Sequence, residues 1–366
     1  MPEQQPRGRI LLAGSAFTGA AVVASAGLGL ALPHLRKEGL GVLGLVGAAL
    51  LVVGALLAVR SVRRLLGSTR RRWWALTIPL LLVATYLAAW TVGLGVAAGL
   101  PARPDLGSRT PADVGLAYDD VALRTSDDVA LAAWWVAPSN GAAVVVLHGA
   151  GSTRTAALDQ AGVVARAGYG VLLVDARGHG ESDGRGMDLG WWGERDVAAA
   201  VDFLVAQPGV APDRIGLLGL SMGGEEAIGA AGVDDRVRAV VAEGATNRVA
   251  ADKAYLDAYG VRGHLQQAID VGTYAVAGLL TPAPEPAPLR DSVVAAAARG
   301  TSFLLVAAGD VETEGLAAER LERAAPEAVE VWTVPGAGHV AGLRTAPDEW
   351  ERRVLDFLGE ALAADR

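Results

Sequence analysis

The sequence predicts an α/β domain with a mostly parallel sheet, preceded by three transmembrane helices. Three observations favour this organisation: long uncharged runs early in the chain, opposite charge in its two parts, and short Val- and Leu-rich runs that later alternate with helical patterns. Of the 366 residues, 52% are hydrophobic and only 20% are charged, whereas an ordinary soluble domain is nearer 25% charged. The composition therefore indicates an apolar part joined to a more usual one.

The uncharged runs cover residues 10–32, 40–59 and 73–100. A hydrocarbon core about 30 Å thick is crossed by about 20 helical residues, and each run is at least that long. A cleaved signal peptide is an alternative for the first run, but a usual signal peptide has an apolar stretch of only about 7–15 residues. We therefore predict that residues 1–100 form a three-helix membrane anchor.

The basic residues between these runs predict an orientation. The first link carries only Arg36 and Lys37, whereas the second carries six arginines: Arg60, Arg63, Arg64, Arg70, Arg71 and Arg72. Because cytoplasmic loops are enriched in Lys and Arg, the second link is predicted to be cytoplasmic. The N-terminus is then cytoplasmic too, and everything after about residue 101 lies on the outer face of the cell membrane.

Charge and composition exclude several functions. Residues 1–100 contain ten basic and two acidic residues, whereas the remainder contains 22 basic and 38 acidic residues. An acidic domain is a poor partner for nucleic acid, since phosphate binding needs Lys and Arg. The absence of cysteine excludes disulfides, thiolate metal sites and a cysteine nucleophile. The histidine spacing does not resemble a metal site and no nucleotide-binding loop is present, so no metal or cofactor is expected.

After a Pro-rich linker at residues 101–114, residues 115–366 read as one α/β domain. Continuous apolar runs are typical of strands buried on both faces, and helical patterns between them favour a mostly parallel sheet of about eight strands with helices on both faces. Residues 245–300 interrupt the alternation and are predicted to be a small helical insertion that caps a site. The predicted strands are 121–124, 131–136, 143–147, 170–174, 215–218, 239–242, 303–307 and 329–333.

The strongest chemical signal is Gly219-Leu220-Ser221-Met222-Gly223, which lies between a predicted strand and a predicted helix. A tight strand-to-helix turn lifts a serine hydroxyl above the sheet, and the glycines Gly219 and Gly223 let the two elements close around it. Ser221 is the predicted nucleophile. The acids that follow, Glu225 and Glu226, are interpreted as favourable partners of the helix dipole.

A serine nucleophile needs an imidazole base and a carboxylate that orients it. His339 follows the last predicted strand, and Asp310 follows the strand 303–307, which places both at the sheet edge that carries Ser221. We predict His339 as the base and Asp310 as the orienting acid. Three further carboxylates near this edge are also candidates for the orienting acid: Glu243, Glu312 and Glu314.

The loops after two central strands are predicted to complete the site. The backbone amides of Ala150 and Met222 are the expected oxyanion donors. His148 and Gly149 are expected to shape the first loop, and Asp175 is expected to brace the same edge from the next one. His179, on that second loop, is a further candidate for contact with substrate.

Together, His148-Gly149-Ala150-Gly151, Asp175-Ala-Arg-Gly-His179-Gly180, the turn at Ser221 and Gly338-His339 resemble serine hydrolases of the α/β-hydrolase superfamily. Within this superfamily, the chain is similar to bacterial members of the esterase, prolyl-oligopeptidase and serine-aminopeptidase types. The resemblance covers residues 115–360 and implies a Ser-His-Asp triad, an acyl-enzyme intermediate and no cofactor. The chain departs from the family after Asp310, where Val311 replaces a common proline.

The sequence therefore predicts a membrane-anchored serine hydrolase that acts on an ester, a thioester or an amide, with an ester favoured. Apolar residues 271–280 beside a membrane anchor favour a lipid-like or acylated substrate as well as contact with membrane lipid. The competing functions are an acyltransferase with the same triad, a serine peptidase and a non-catalytic envelope scaffold. The sequence does not specify the acyl-chain length of the substrate or the oligomeric state of the protein.

Overall fold

The computed structural model describes residues 4–364, with side chains described from residue 8 onward. These residues form two compact units. The first comprises residues 4–102 and 268–282, and the second comprises residues 103–267 and 283–364. The predicted domain limits at residues 1 and 366 lie outside the described part of the chain.

The first unit contains three helical stretches that are long and apolar enough to cross a membrane: Gly8–Lys37, Val42–Ser68 and Arg71–Gly99. The first stretch lies in α1 (Gln4–Lys37), and the second is α2 (Val42–Ser68). The third contains α3 (Trp74–Ala88), a π-helical turn (Ala89–Gly93) and α4 (Leu94–Gly99). Small residues allow α1 and α2 to approach closely, since a Cβ added at Gly47 would lie 2.5 Å from the backbone nitrogen of Ala31.

The second unit is built on an eight-stranded sheet with the order β1-β2-β4-β3-β5-β6-β7-β8. β1 and β2 pair in antiparallel fashion, β2 is antiparallel to β4, and the remaining neighbours are parallel. This confirms the predicted fold class, with the antiparallel hairpin at one edge. The strands are β1 (Asp119–Arg124), β2 (Ala130–Val136), β3 (Ala143–Leu147), β4 (Gly170–Val174), β5 (Ile215–Leu220), β6 (Val237–Glu243), β7 (Ser302–Ala308) and β8 (Val329–Val334).

Helices cover both faces of this sheet. The remaining helices are α5 (Leu158–Arg166), α6 (Gly193–Val205), α7 (Met222–Val233), α8 (Val261–Leu280), α9 (Leu289–Ala297), α10 (Glu312–Glu322), α11 (Gly342–Thr345) and α12 (Pro347–Ala361). On β3, Val145 and Leu147 pack with α6, α7 and α9, whereas Val144 and Val146 pack with α5 and α12. Successive strand residues point to opposite faces of the sheet. Because helices cover both faces, every residue of β3 is buried.

Two segments are assigned to the compact units as follows. Within the predicted linker 101–114, residues 103–114 belong to the second unit, where the guanidinium of Arg103 donates to the carbonyl of Ser182 at 2.5 Å. Within the predicted insertion 245–300, residues 268–282 belong to the first unit. The apolar composition of this segment explains why it groups with the other apolar helices.

Candidate active site

Ser221 lies on a strained turn between β5 and α7. Its φ and ψ angles are 53° and −120°, a backbone conformation that side chains rarely adopt. The turn is held on both sides: the N–H of Ser221 donates to the carbonyl of Glu243 at 2.7 Å, and the carbonyl of Ser221 accepts the N–H of Gly224 at 2.8 Å. The strand-to-helix turn predicted from the glycine pattern is therefore present.

The glycines on either side of Ser221 are required by backbone contacts. A Cβ at Gly219 would collide with the carbonyl of Gly223. A Cβ at Gly223 would lie 2.6 Å from the carbonyl oxygen of Leu147 and 2.7 Å from that of His148. Backbone atoms cannot move aside as a flexible side chain does, so both positions need the smallest residue.

His339 faces Ser221 from the loop after β8. Its Nε2 lies 2.9 Å from Oγ of Ser221, and its side chain is 49% exposed. The imidazole packs against the loop after β6, where a Cβ at Gly244 would lie 2.9 Å from Cε1 of His339. The structure therefore brings together the two residues that the sequence identified as nucleophile and base.

The carboxylate at the imidazole is Glu314, and the prediction of Asp310 for this position is wrong. Oε1 of Glu314 lies 2.6 Å from Nδ1 of His339, and Oε2 accepts the N–H of Ala308 at 2.8 Å. Asp310 is exposed in the turn after β7, and its backbone N–H donates to the carbonyl of Ala337. Glu314 lies in the first turn of α10, from which its longer side chain extends back to the end of β7.

Glu243 and Glu312, the remaining candidate acids, form no hydrogen bond with the imidazole in the described structure. Glu243 is buried, and its carboxylate accepts the N–H of Gly342 at 2.7 Å and Nε1–H of Trp350 at 3.0 Å. Burial raises the pKa of Glu243. Glu243 therefore links β6 to the C-terminal helices α11 and α12. Glu312, the first residue of α10, is exposed.

Glu314 also sets the electrostatics of the imidazole. The hydrogen bond to Glu314 and its negative charge raise the pKa of His339 above its usual value. A carboxylate accepts only, so Nδ1 of His339 is assigned as the protonated nitrogen. Nε2 then presents its lone pair to the hydroxyl of Ser221, which is the arrangement a general base requires.

The two predicted oxyanion residues flank Ser221 in different ways. Met222 is the first residue of α7, so its N–H has no acceptor within its own helix. Gly149 lies against the nucleophile, since an added Cβ would be 3.2 Å from Cβ of Ser221. Ala150 follows directly and is exposed. The loop after β3 and the start of α7 therefore border the serine hydroxyl.

His148 joins the loops after β3 and β4. Its Nδ1 donates to the carbonyl of Gly149 at 2.8 Å, and its Nε2 accepts the N–H of Ala176 at 3.0 Å. Burial lowers the pKa of His148 to about 3. The ring is therefore neutral at physiological pH, and both nitrogens are bonded to backbone.

Asp175, at the end of β4, holds the same edge. Its buried carboxylate accepts the N–H groups of Arg154 at 2.7 Å and Glu181 at 3.0 Å, and it forms an ion pair with the guanidinium of Arg154. His179 is 1% exposed, with its ring centroid 5.1 Å from that of His148. Its burial places His179 beneath the site surface.

Glu225 has a role that the sequence interpretation missed. Its Oε1 accepts the N–H of Thr246 at 3.0 Å and that of Asn247 at 2.8 Å, which ties α7 to the loop after β6. Burial raises the pKa of Glu225 to about 7. Residues 222–231 are all buried, and the uncharged residues 227–233 were the available signal for that burial.

Among the described residues, no group of three or more His, Cys, Asp or Glu side chains is arranged to hold a metal ion. The chemistry available at this edge is that of a serine hydroxyl, an imidazole and a carboxylate. These groups follow β5, β8 and β7, and parallel strands place such residues at one edge of the sheet.

Comparison with known proteins identifies related sequences and structures. Residues 138–273 match the protein family described as serine aminopeptidase, S33. The chain is 38% identical to the thiohydrolase aneE of Aspergillus aculeatus over 129 residues, which is 34% of this chain and 40% of that protein. It is 34% identical to an uncharacterised protein of Mycobacterium tuberculosis over 115 residues, or 31% of this chain and 40% of that protein. The chain thus spans less than half the length of these relatives.

A similar solved structure is the esterase PF2001 of Pyrococcus furiosus, with a TM-score of 0.57 and 26% sequence identity. The match covers 72% of this chain and 99% of that one. With the sheet order and the serine turn, it shows that the chain has the α/β-hydrolase fold, as predicted. The proteins that this chain resembles include a thiohydrolase and an esterase.

Proposed function

We propose that this protein is a membrane-anchored serine hydrolase that cleaves an ester bond through an acyl-enzyme. The observation that supports it most strongly is the continuous hydrogen-bonded chain from Oγ of Ser221 through His339 to Glu314, with distances of 2.9 and 2.6 Å. These hydrogen bonds connect a nucleophile, a base and an orienting acid in the order that a serine hydrolase requires.

The reaction proceeds in two steps. Oγ of Ser221 attacks the carbonyl carbon while Nε2 of His339 accepts the hydroxyl proton, and His339 then gives that proton to the departing alcohol. Water then attacks the acyl-serine while Nε2 of His339 accepts its proton. His339 returns that proton to Oγ of Ser221 as the bond between Oγ and the acyl carbon breaks, which releases the acid and restores the enzyme. Glu314 keeps Nδ1 protonated and stabilises the imidazolium, and the backbone N–H groups of Ala150 and Met222 are our choice of oxyanion donors.

An ester or a thioester is the favoured substrate bond. The similar structure is that of an esterase, and the relative with 38% identity is a thiohydrolase. Acyl transfer to an alcohol uses the same triad and differs only in what attacks the acyl-serine. The half-exposed His339 leaves room for either attacking group.

The proposed setting is the cell membrane. The three apolar helical stretches are long enough to span it, and the arginines between the second and third stretches favour a cytoplasmic position for that link. The N-terminus is then cytoplasmic, and the α/β-hydrolase unit lies on the outer face. A lipid-like ester is the substrate class that best suits this location.

The function is tested with a series of p-nitrophenyl esters of increasing acyl length, using the full chain in detergent or nanodiscs. We expect hydrolysis of at least the short esters, with hydrolysis abolished in Ser221→Ala. Inertness toward every ester would contradict the proposed activity. Adding a competing alcohol distinguishes hydrolysis from transfer, because a transferase forms the new ester as its main product. The orientation is tested with a reporter enzyme that is active only outside the cytoplasm. Fused after Arg366, this reporter should be active.

A further inference from the structure

A basic cavity, which we call the arginine cavity, lies at one end of the first unit. It has a volume of about 430 Å³ and is bordered by the start of α1, the end of α2 and the start of the third apolar stretch. Arg70 and Arg72 line it together with Ile10, Ser68 and Trp73. Cationic, apolar and aromatic residues thus border one opening.

The two arginines of this cavity have no acidic partner within the unit. The described part of the first unit contains two acids, Glu38 and Asp270. Glu38 follows the far end of α1, and Asp270 is buried. Neither acid forms an ion pair with Arg70 or Arg72, which are both exposed. The cavity therefore carries two positive charges that no carboxylate of the described unit neutralises.

Aromatic rings lie beside the arginine side chains at this end of the unit. The guanidinium carbon of Arg72 lies 5.9 Å from the ring centroid of Trp73, and that of Arg71 lies 5.9 Å from the ring centroid of Trp74. A guanidinium presents five N–H donors in a planar fork that matches two oxygens of a phosphate. Two such groups in one cavity suit a phosphate that carries a negative charge.

The cavity lies where two of the uncharged runs begin. Ile10 is the first residue of the run 10–32, and Trp73 is the first residue of the run 73–100. As helices these runs extend about 34 and 42 Å, which is slightly more than a hydrocarbon core of about 30 Å. The cavity therefore borders the hydrocarbon at the level of the lipid head groups.

We propose that the arginine cavity binds the phosphate of an anionic phospholipid in the adjacent leaflet, which is the cytoplasmic one in the proposed orientation. Arg70 and Arg72 hold the phosphate, and the acyl chains lie along exposed apolar residues that follow it on α1 and α3, such as Leu11 and Leu76. Basic pockets between membrane helices on the cytoplasmic side recognise lipid head groups in this way. This inference rests on the proposed membrane anchor.

The test compares two variants that remove the same charge at different places. Arg70→Gln with Arg72→Gln removes both charges from the cavity. Arg60→Gln with Arg63→Gln is the matched control, because these exposed arginines of α2 do not line the cavity. Each variant keeps four of the six arginines in the link, so the orientation should be retained. The reporter fused after Arg366 verifies the orientation, and thermal unfolding verifies the fold.

Binding is measured by native mass spectrometry of the full chain in detergent with phosphatidylglycerol or with zwitterionic phosphatidylcholine of the same acyl chains. We expect one phosphatidylglycerol per chain, bound at least ten-fold more tightly than phosphatidylcholine. The cavity variant should lose this preference, and the control should keep it within about three-fold.

Three results would overturn the proposed site. Equal losses in the two variants would show only a general attraction of the basic link for anionic lipid. Equal binding of the two lipids would remove the preference for negative charge. Displacement of phosphatidylglycerol by millimolar inorganic phosphate would assign the cavity to a free anion.

Vesicle flotation separates this inference from the anchor on which it rests. The full chain should float with phosphatidylcholine vesicles and remain bound in alkaline carbonate. Flotation without a preference for phosphatidylglycerol would overturn the inference and leave the anchor standing. Failure to float would overturn the anchor and the inference together.

Discussion

Oε1 of Glu314 lies 2.6 Å from Nδ1 of His339, while the other oxygen of the same carboxylate is bonded to the backbone N–H of Ala308. The end of β7 thus fixes the carboxylate, and the carboxylate fixes the imidazole. Glu314 is 2% exposed, so water does not compete for these bonds. Its position implies that the orienting acid comes from α10 and not from the turn at Asp310.

Replacement of the two carboxylates distinguishes their roles. We expect Glu314→Gln to lower kcat for ester hydrolysis by about 1,000- to 10,000-fold, because the amide favours the wrong imidazole tautomer. Asp310→Asn is the matched control and should stay within about two- to three-fold of the unmodified protein, since exposed substitutions away from the site change little. A larger loss in Asp310→Asn than in Glu314→Gln would contradict the assignment.

The pH dependence of kcat/KM reports the ionisation of His339. The neutral imidazole is the active base, and its pKa is raised by Glu314 above the usual 6.5. Activity should therefore rise with pH through a midpoint above 6.5 and be lost as the pH falls below it. In Glu314→Gln the midpoint should move to lower pH, because the negative charge that favoured the imidazolium is gone.

The ionisation of Glu225 must be distinguished from that of His339, because burial raises the pKa of Glu225 to about 7. We expect Glu225→Gln to lower the midpoint less than Glu314→Gln does, because Glu225 raises the pKa of His339 only through its charge, whereas Glu314 is also hydrogen-bonded to the imidazole. A midpoint that follows Glu225→Gln and ignores Glu314→Gln would show that the ionisation belongs to Glu225 and not to His339. Rate measurements between pH 5 and 9 decide between them.

The nucleophile turn is sensitive to a single methyl group. Gly223→Ala places its Cβ within 2.7 Å of two carbonyl oxygens, so we expect a loss of about 1–3 kcal/mol in unfolding free energy and at least ten-fold lower activity. Gly315→Ala in α10 is the control, because nothing lies within 4 Å of its added Cβ. It should leave activity unchanged and stabilise the helix by up to about 1 kcal/mol. Equal effects of the two substitutions in thermal and kinetic measurements would contradict the steric argument.

The sheet and the serine turn were predictable because their signals are local. Continuous apolar runs identified β3 to β8 to within a few residues. The glycines around Ser221 are required by contacts with backbone that is close in sequence or at the end of β3. The position of His339 followed from strand order alone, because parallel strands end at one edge.

The orienting acid and the location of α8 were not predictable by the same reasoning. Asp310 and Glu314 are four residues apart after the same strand, and the choice depends on which side chain extends back from a helix that begins at Glu312. Similarly, the apolar residues 271–280 indicated a helix that is buried or in contact with lipid, but they did not identify the helix against which it packs. Contacts with Gly95 and Gly99, distant in sequence, provided that information.

The central claim is that the hydroxyl of Ser221 is the nucleophile, and covalent labelling tests it most directly. A fluorophosphonate probe should modify the full chain at Ser221, with labelling lost in Ser221→Ala and retained in Ser126→Ala, whose serine is exposed in the turn between β1 and β2. Undiminished labelling of Ser221→Ala, with the modified residue mapped elsewhere, would contradict the account.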